Sequence, residues 1–235
     1  MPAVKGESQI GLERVLGLAA DLGLGDTLGD PDPYDLSLTL GGGEVRLLDL
    51  TAAYGAFATG GLFHPPLVIA DEQVVPGRRV VSPETAWLID DMLSDDAARG
   101  PGFGRDGVLH VAGRTVAVKT GTTSDFRDNW TIGFTPDVVV GVWVGNADNR
   151  PMHDVSGVSG AAPLWRDVLD TAVLNIAQPR VFERPSDLES VTLCADSEAS
   201  AGAQCAAQRL EWLPGHPALV LRGGGAPPRA PRPLS

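Results

Sequence analysis

Val118-Lys119-Thr120-Gly121-Thr122 closes a stretch, Thr115 to Thr122, whose alternation is that of a β-strand. Period 2 puts Thr120 and Thr122 on one face, and Gly121, without a Cβ, lets a second backbone come close. The result is a cation beside two hydroxyls, a surface suited to a peptide that ends in a carboxylate. The stretch is not a nucleotide P-loop. That motif has glycines before its lysine and a helix after it, whereas here Val116-Ala117-Val118 precede Lys119 and a turn follows. Read alone, the four residues Lys119 to Thr122 fit a surface lysine beside a β-turn equally well.

Outward from this strand the pattern stays that of strands, over Asn129 to Phe134 and Val138 to Val144. Thr135-Pro136-Asp137 is short enough for an antiparallel hairpin, and Val138 to Val144, apolar on both faces, predicts a central strand. Trp130 and Trp143, both on strands, are expected in the core, and Ser124, Asp125, Arg127 and Asp128 read as a polar turn. A helix from Gly160 to about Asn175 would cover one face of the sheet.

Upstream, Ser8 is a candidate cap for a helix carrying Leu12, Val15, Leu16, Ala19 and Leu22, stopped at Gly23. Gly41-Gly42-Gly43 leads into a second helix with the stripe Leu47, Leu50, Tyr54 and Phe57, ended by Gly60-Gly61. Leu67 to Ala70, Val74-Val75, the Pro76-Gly77 turn and Val80-Val81 read as a hairpin, and Ser82-Pro83 starts the next helix. The sum is a mixed α+β domain ending near Gln178.

Composition bounds the function. The 235 residues carry a formal net charge of −12 and only two lysines, Lys5 and Lys119, which excludes a phosphate backbone as partner. His64, His110, His153 and His216 are dispersed without metal spacing. Cys194 and Cys205 fit a disulfide or two free thiols. No apolar run approaches the roughly 20 residues that span a bilayer, and the first residues do not read as a signal peptide. Gly223 to Ser235 is expected to be a disordered Gly/Pro-rich tail.

The neighbourhood of Lys119 resembles a known family. Lys119-Thr120-Gly121-Thr122-Thr123, then Phe126-Arg127-Asp128-Asn129-Trp130, Gly133-Phe134-Thr135-Pro136 and Val140-Gly141-Val142-Trp143-Val144-Gly145 are similar to the third active-site motif and following strands of class A penicillin-binding proteins. Leu40 to Val45, Ala53 to Ala58 with Gly60-Gly61 and then Pro65-Pro66, and Ser156-Gly157-Val158 with Gly160-Ala161-Ala162-Pro163-Leu164-Trp165 resemble the same family in the expected order. The resemblance covers roughly residues 1–178 and leaves 179–222, with Cys194 and Cys205, as a post-domain segment.

It implies the penicillin-binding/β-lactamase-like transpeptidase fold, an antiparallel sheet flanked by helices, incomplete at the N-terminus. It also implies a serine D-alanyl-D-alanine transpeptidase that cross-links peptidoglycan. Its partners would be stem peptides ending in D-Ala-D-Ala and β-lactams, with no cofactor, at the outer face of the cytoplasmic membrane, where a Cys194–Cys205 disulfide could form. By this resemblance Lys119 holds the proton-relay serine, the Thr120 and Thr122 hydroxyls bind the substrate carboxylate, and the Thr122 N–H forms half of the oxyanion hole.

One departure matters most. Pro2 stands three residues before Lys5 and Val116 three before Lys119, so the chain has no Ser-x-x-Lys and no nucleophile of the family's kind. Met1 to Lys5 resembles the residues just after the family's Ser-x-Asn motif, which suggests a fragment, a truncated gene or a mis-called start. Such a chain is expected not to turn over alone. A non-catalytic wall-peptide binding module is the alternative; a β-lactamase relative is disfavoured by the extended match after Trp130 and by the lack of a deacylating motif.

Overall fold

The computed structural model describes residues 2–28, 37–69, 73–104, 106–153, 155–194, 205 and 207–215. Two compact units divide the chain, Met1–Glu183 and Arg184–Ser235. In the first, the helices are α1 (Pro2–Ile10), α2 (Leu12–Asp21), α3 (Gly25–Leu28), α4 (Leu47–Ala58), α5 (Pro83–Ser94), α6 (Asp96–Phe103) and α7 (Ala161–Val173). The strands are β1 (Leu62–Phe63), β2 (Arg78–Arg79), β3 (Ala117–Thr122), β4 (Asp128–Phe134) and β5 (Val139–Gly145). The second unit holds the antiparallel ribbon of β6 (Leu188–Cys194) and β7 (Gln208–Pro214), and a disulfide joins Cys194 to Cys205, whose Cα atoms are 5.6 Å apart. The Gly223 to Ser235 tail lies outside the described residues.

The centre of the first unit is the antiparallel meander β3-β4-β5, with Val118 opposite Gly133, Thr120 opposite Thr131, and Trp130 opposite Trp143. Helix α7 packs on one face and α4 on the other. On the α7 face Val118, Val140, Ala162, Trp165 and Leu169 form a buried cluster. The approach is close because residue 133 is glycine: a Cβ there would stand 2.2 Å from the Trp165 ring. On the α4 face the fully buried Phe134 meets Tyr54 edge-on at 6.1 Å and Phe182 at 5.8 Å. Burial pushes the Tyr54 hydroxyl above its ordinary pKa.

Several elements differ from the sequence reading. Ser8 lies inside α1 and caps nothing; Gly11, with φ of 91°, separates α1 from α2, a left-handed break that apolar periodicity does not register. Leu67 to Ile69 and Val74-Val75 of the expected hairpin face solvent, with Val68 74% and Val74 76% exposed, while Val80 and Val81 are half-buried; the strand pairing runs between Leu62–Phe63 and Arg78–Arg79. Ala70 of that hairpin lies outside the described residues. Strand β5, expected at the centre, is an outer strand of this sheet, and β4 lies between its neighbours. Its two apolar faces are explained by the helix layers above and below it rather than by strands on both sides.

Other signals hold. Ser82 Oγ accepts from the Thr85 N–H at 3.2 Å, with Pro83 at the first helical position of α5. Helix α7 begins directly after Gly160. Among the described residues no helix is long and apolar enough to cross a membrane.

Candidate functional site

Strand β3 is the other outer strand of the meander, so its backbone edge and both faces are available where helices do not cover them. Val116, Ala117 and Val118 are buried and fix the strand; Lys119 and Thr122 are exposed. Pairing with β4 places Lys119 and Gly121 on one face, opposite Ile132 and Trp130, and Thr120 and Thr122 on the other, opposite Thr131 and Asn129. The cation and the hydroxyls therefore flank one strand edge from two sides. A ligand lying along that edge would meet both.

Lys119 Nζ donates to the Thr120 carbonyl. The side chain keeps contact with solvent, yet the protein crowded around it withholds hydration from the ammonium and lowers its pKa. The Thr122 hydroxyl accepts from the Gly157 N–H at 2.9 Å. From the neighbouring strand, Thr131 Oγ1 donates to the Gly157 carbonyl at 3.1 Å and Asn129 Nδ2 to the Val155 carbonyl at 2.9 Å. Asn129 and Thr131 are fully buried.

Sequence reasoning carried Asn129 and Gly157 only within the stretches of the family resemblance and gave no role to them or to Thr131. The signal was present in β4, where Asn129 and Thr131 interrupt an apolar strand two residues apart, but their partner lies 26 residues on and was not deducible from spacing. The close backbone approach expected at Gly121 does occur, and the glycine that permits it is Gly157, where a Cβ would stand 2.7 Å from the Gly121 carbonyl oxygen.

The turn after Thr122 is held tightly. Thr123 Oγ1 donates to Asp128 Oδ2 and accepts from the Asp128 N–H, both at 2.9 Å. Asp125 and Phe126 have φ of 60° and 55°, a region that costs a residue with a Cβ free energy. Arg127 donates to the Asn149 carbonyl at 2.7 Å. Asp128, Arg127 and Asp125 thus shape the turn. Trp143 is not a core residue: it is 36% exposed, leans on Trp130 at 6.4 Å, and donates from Nε1 to Asp128 Oδ1 at 2.9 Å.

A cavity of about 440 Å3 opens elsewhere, between Ala52 and Gly55 of α4 and the β4–β5 turn, beside His64 and the Asp137–Arg180 ion pair. It sits at the opposite end of the sheet from Thr122, which pairs with Asn129 at the start of β4. Among the described residues no three His, Cys, Asp or Glu side chains converge as metal ligands would.

Residues 4–170 match the family described as the penicillin binding protein transpeptidase domain. Penicillin-binding protein 1C of Escherichia coli is 30% identical over 217 residues, 91% of this chain and 27% of that protein. Penicillin-binding protein 1A of Aquifex aeolicus is 38% identical over 188 residues, 76% of this chain and 25% of that protein. The chain thus spans about a quarter of the length of these curated relatives. Among solved structures, penicillin-binding protein 1A from Haemophilus influenzae aligns with a TM-score of 0.73 at 19% identity, over 95% of this chain and 39% of that one. PonA1 from Mycobacterium tuberculosis, solved in complex with penicillin V, aligns with a TM-score of 0.51 at 25% identity, over 65% of this chain and 44% of that one.

Proposed function

Because this chain belongs to the transpeptidase domain family of class A penicillin-binding proteins, we propose that it is one part of a serine D-alanyl-D-alanine transpeptidase that cross-links peptidoglycan and binds penicillin. It contributes the wall that holds the substrate's terminal carboxylate. The observation that carries this reading is the edge strand β3, with Lys119 on one side and Thr120 and Thr122 on the other. The complex of PonA1 with penicillin V supports β-lactams as ligands of the assembled site.

The chemistry assigns each group a task. Lys119 supplies positive charge that holds a relay serine and favours the anionic carboxylate nearby; its lowered pKa makes it a readier proton partner than a fully hydrated lysine. The Thr120 and Thr122 hydroxyls donate to the carboxylate. The Thr122 N–H, on the outer strand, supplies one donor to the oxyanion that forms when a serine attacks the penultimate D-Ala carbonyl. That serine is absent from this chain, since neither Lys5 nor Lys119 has a serine three residues before it. We therefore place acylation outside residues 1–235, and the cell envelope is where the assembled domain works.

Incubation of the chain with a fluorescent penicillin tests this directly. No covalent label is expected on the chain alone; a labelled band that survives denaturation would show that it carries its own nucleophile and that this division of labour is wrong.

A further inference from the structure

The segment from Val155 to Gly160 crosses the sheet face that carries Thr120 and Thr122. It is tied to that face by Thr122, Thr131 and Asn129, which together bind the N–H and carbonyl of Gly157 and the carbonyl of Val155. Because Asn129 and Thr131 are shielded from water, their bonds to this segment do not exchange with solvent partners. The fit leaves no room for a side chain. A Cβ at residue 157 would stand 2.7 Å from the Gly121 oxygen and 3.0 Å from the Trp130 oxygen, both backbone atoms of paired strands that cannot turn aside.

A hydroxyl offers one donor and two acceptor positions. The Gly157 N–H occupies an acceptor position of Thr122 Oγ1 and so leaves the Thr122 proton to be given to another group. A partner that only accepts, such as a carboxylate, is the one this arrangement fits.

We propose that Gly157 is a positioning residue: its N–H, with its carbonyl held by Thr131, fixes the rotamer and hydrogen-bond polarity of Thr122 so that the hydroxyl donates to the terminal carboxylate of an acyl-D-Ala-D-Ala peptide. The proposal rests on the reading of β3 as a carboxylate-binding wall. It assigns to the β5–α7 connection a share in ligand discrimination that Thr122 by itself would not supply, because an untethered threonine hydroxyl rotates freely and accepts as readily as it donates.

The test uses the 235-residue chain, isotope-labelled, titrated with N-acetyl-D-Ala-D-Ala and separately with the same peptide carrying a C-terminal amide, while the amide resonances of Thr120 to Thr122 are followed. The unsubstituted chain is expected to prefer the carboxylate form by about tenfold or more, the range of one charge-assisted hydrogen bond. Thr131→Val and Gly157→Ala are each expected to reduce that preference severalfold, and Thr131→Ser to retain it. Equal weakening toward both peptides, with the preference kept, would show a merely structural role and overturn the proposal. Should Thr131→Val fail to fold, hydrogen exchange of the Gly157 amide in the unsubstituted chain decides: exchange as fast as in an open loop overturns it, and slow exchange that quickens in Thr122→Val but not in Thr122→Ser upholds it. An unsubstituted chain with no carboxylate preference would instead overturn the reading of the wall itself, and the role of Gly157 with it.

Discussion

Replacing Asp90 by asparagine probes the packing of α5 through a single proton. Asp90 is 3% exposed on the helix that packs against both α4 and β3, and its Oδ1 is buried without a hydrogen-bond partner. Burial raises its carboxyl from the ordinary 3.8 to about 8, because the ion would lose its hydration there. The folded chain therefore keeps the proton through neutrality, while the unfolded chain releases it near pH 4. Stability from this group is whole below the unfolded pKa and is lost as pH rises toward the folded one, at about 1.4 kcal/mol per pH unit.

Across that window the loss is on the order of 5 kcal/mol, comparable with the whole stability of a small domain. Asparagine has nearly the shape of a protonated aspartate and cannot ionise. Urea unfolding followed by tryptophan fluorescence should find parent and Asp90→Asn within about 1 kcal/mol near pH 4. The variant should then gain steadily up to about pH 8 and level off. A difference that does not change with pH, or one already complete by about pH 5, would mean that Asp90 ionises in the native state at an ordinary carboxylate pKa, and the reasoning would fail.

Three further outcomes are expected. Gly133→Ala drives a methyl into the fully enclosed Trp165 ring and should cost about 1–3 kcal/mol, read as a lower melting temperature; an unchanged one would mean that α7 does not sit where described. Ser82→Ala removes the acceptor for the Thr85 N–H at the start of α5 and should cost about 1 kcal/mol in the same unfolding assay, with no change counting against the cap. Cys205→Ser opens the link to Cys194, and since a two-stranded ribbon is marginal alone, amide exchange across Val191 to Leu193 should quicken about tenfold or more. Unaltered protection there would show that the ribbon does not depend on the bond.

How much of this was legible in the sequence depended on whether the cause was local. The Ser82-Pro83 start of α5 and the short Thr135-Pro136-Asp137 link are written in a few consecutive residues, and the structure has them where expected. The order of strands was not. Apolar character on both faces of β5 reports that both faces are covered, and α4 and α7 cover them as well as further strands would. The left-handed Gly11 interrupts a helix without disturbing the spacing of Leu12, Val15 and Leu16, so periodicity ran through it. At the candidate site, the lysine and two threonines could be assigned to faces from period 2 alone. The Gly157 strap could not, because its bond to Thr122 joins residues 35 apart and the residue type responsible is conspicuous only for lacking a side chain.

The meander has a kinetic consequence. Among the described residues each of β3, β4 and β5 pairs only with its neighbour in sequence, across turns of a few residues, so the ladder that presents Lys119, Thr120 and Thr122 closes over short loops. Contacts of low sequence separation form early, since little chain entropy is lost in bringing them together. The strap of residues 155–160, whose bonds to the sheet span 26 and 35 residues, is expected to seat later, on a surface already laid down. On that order, folding would follow the same sequence as the proposed recognition, with Thr122 placed first by its strand and then directed by Gly157.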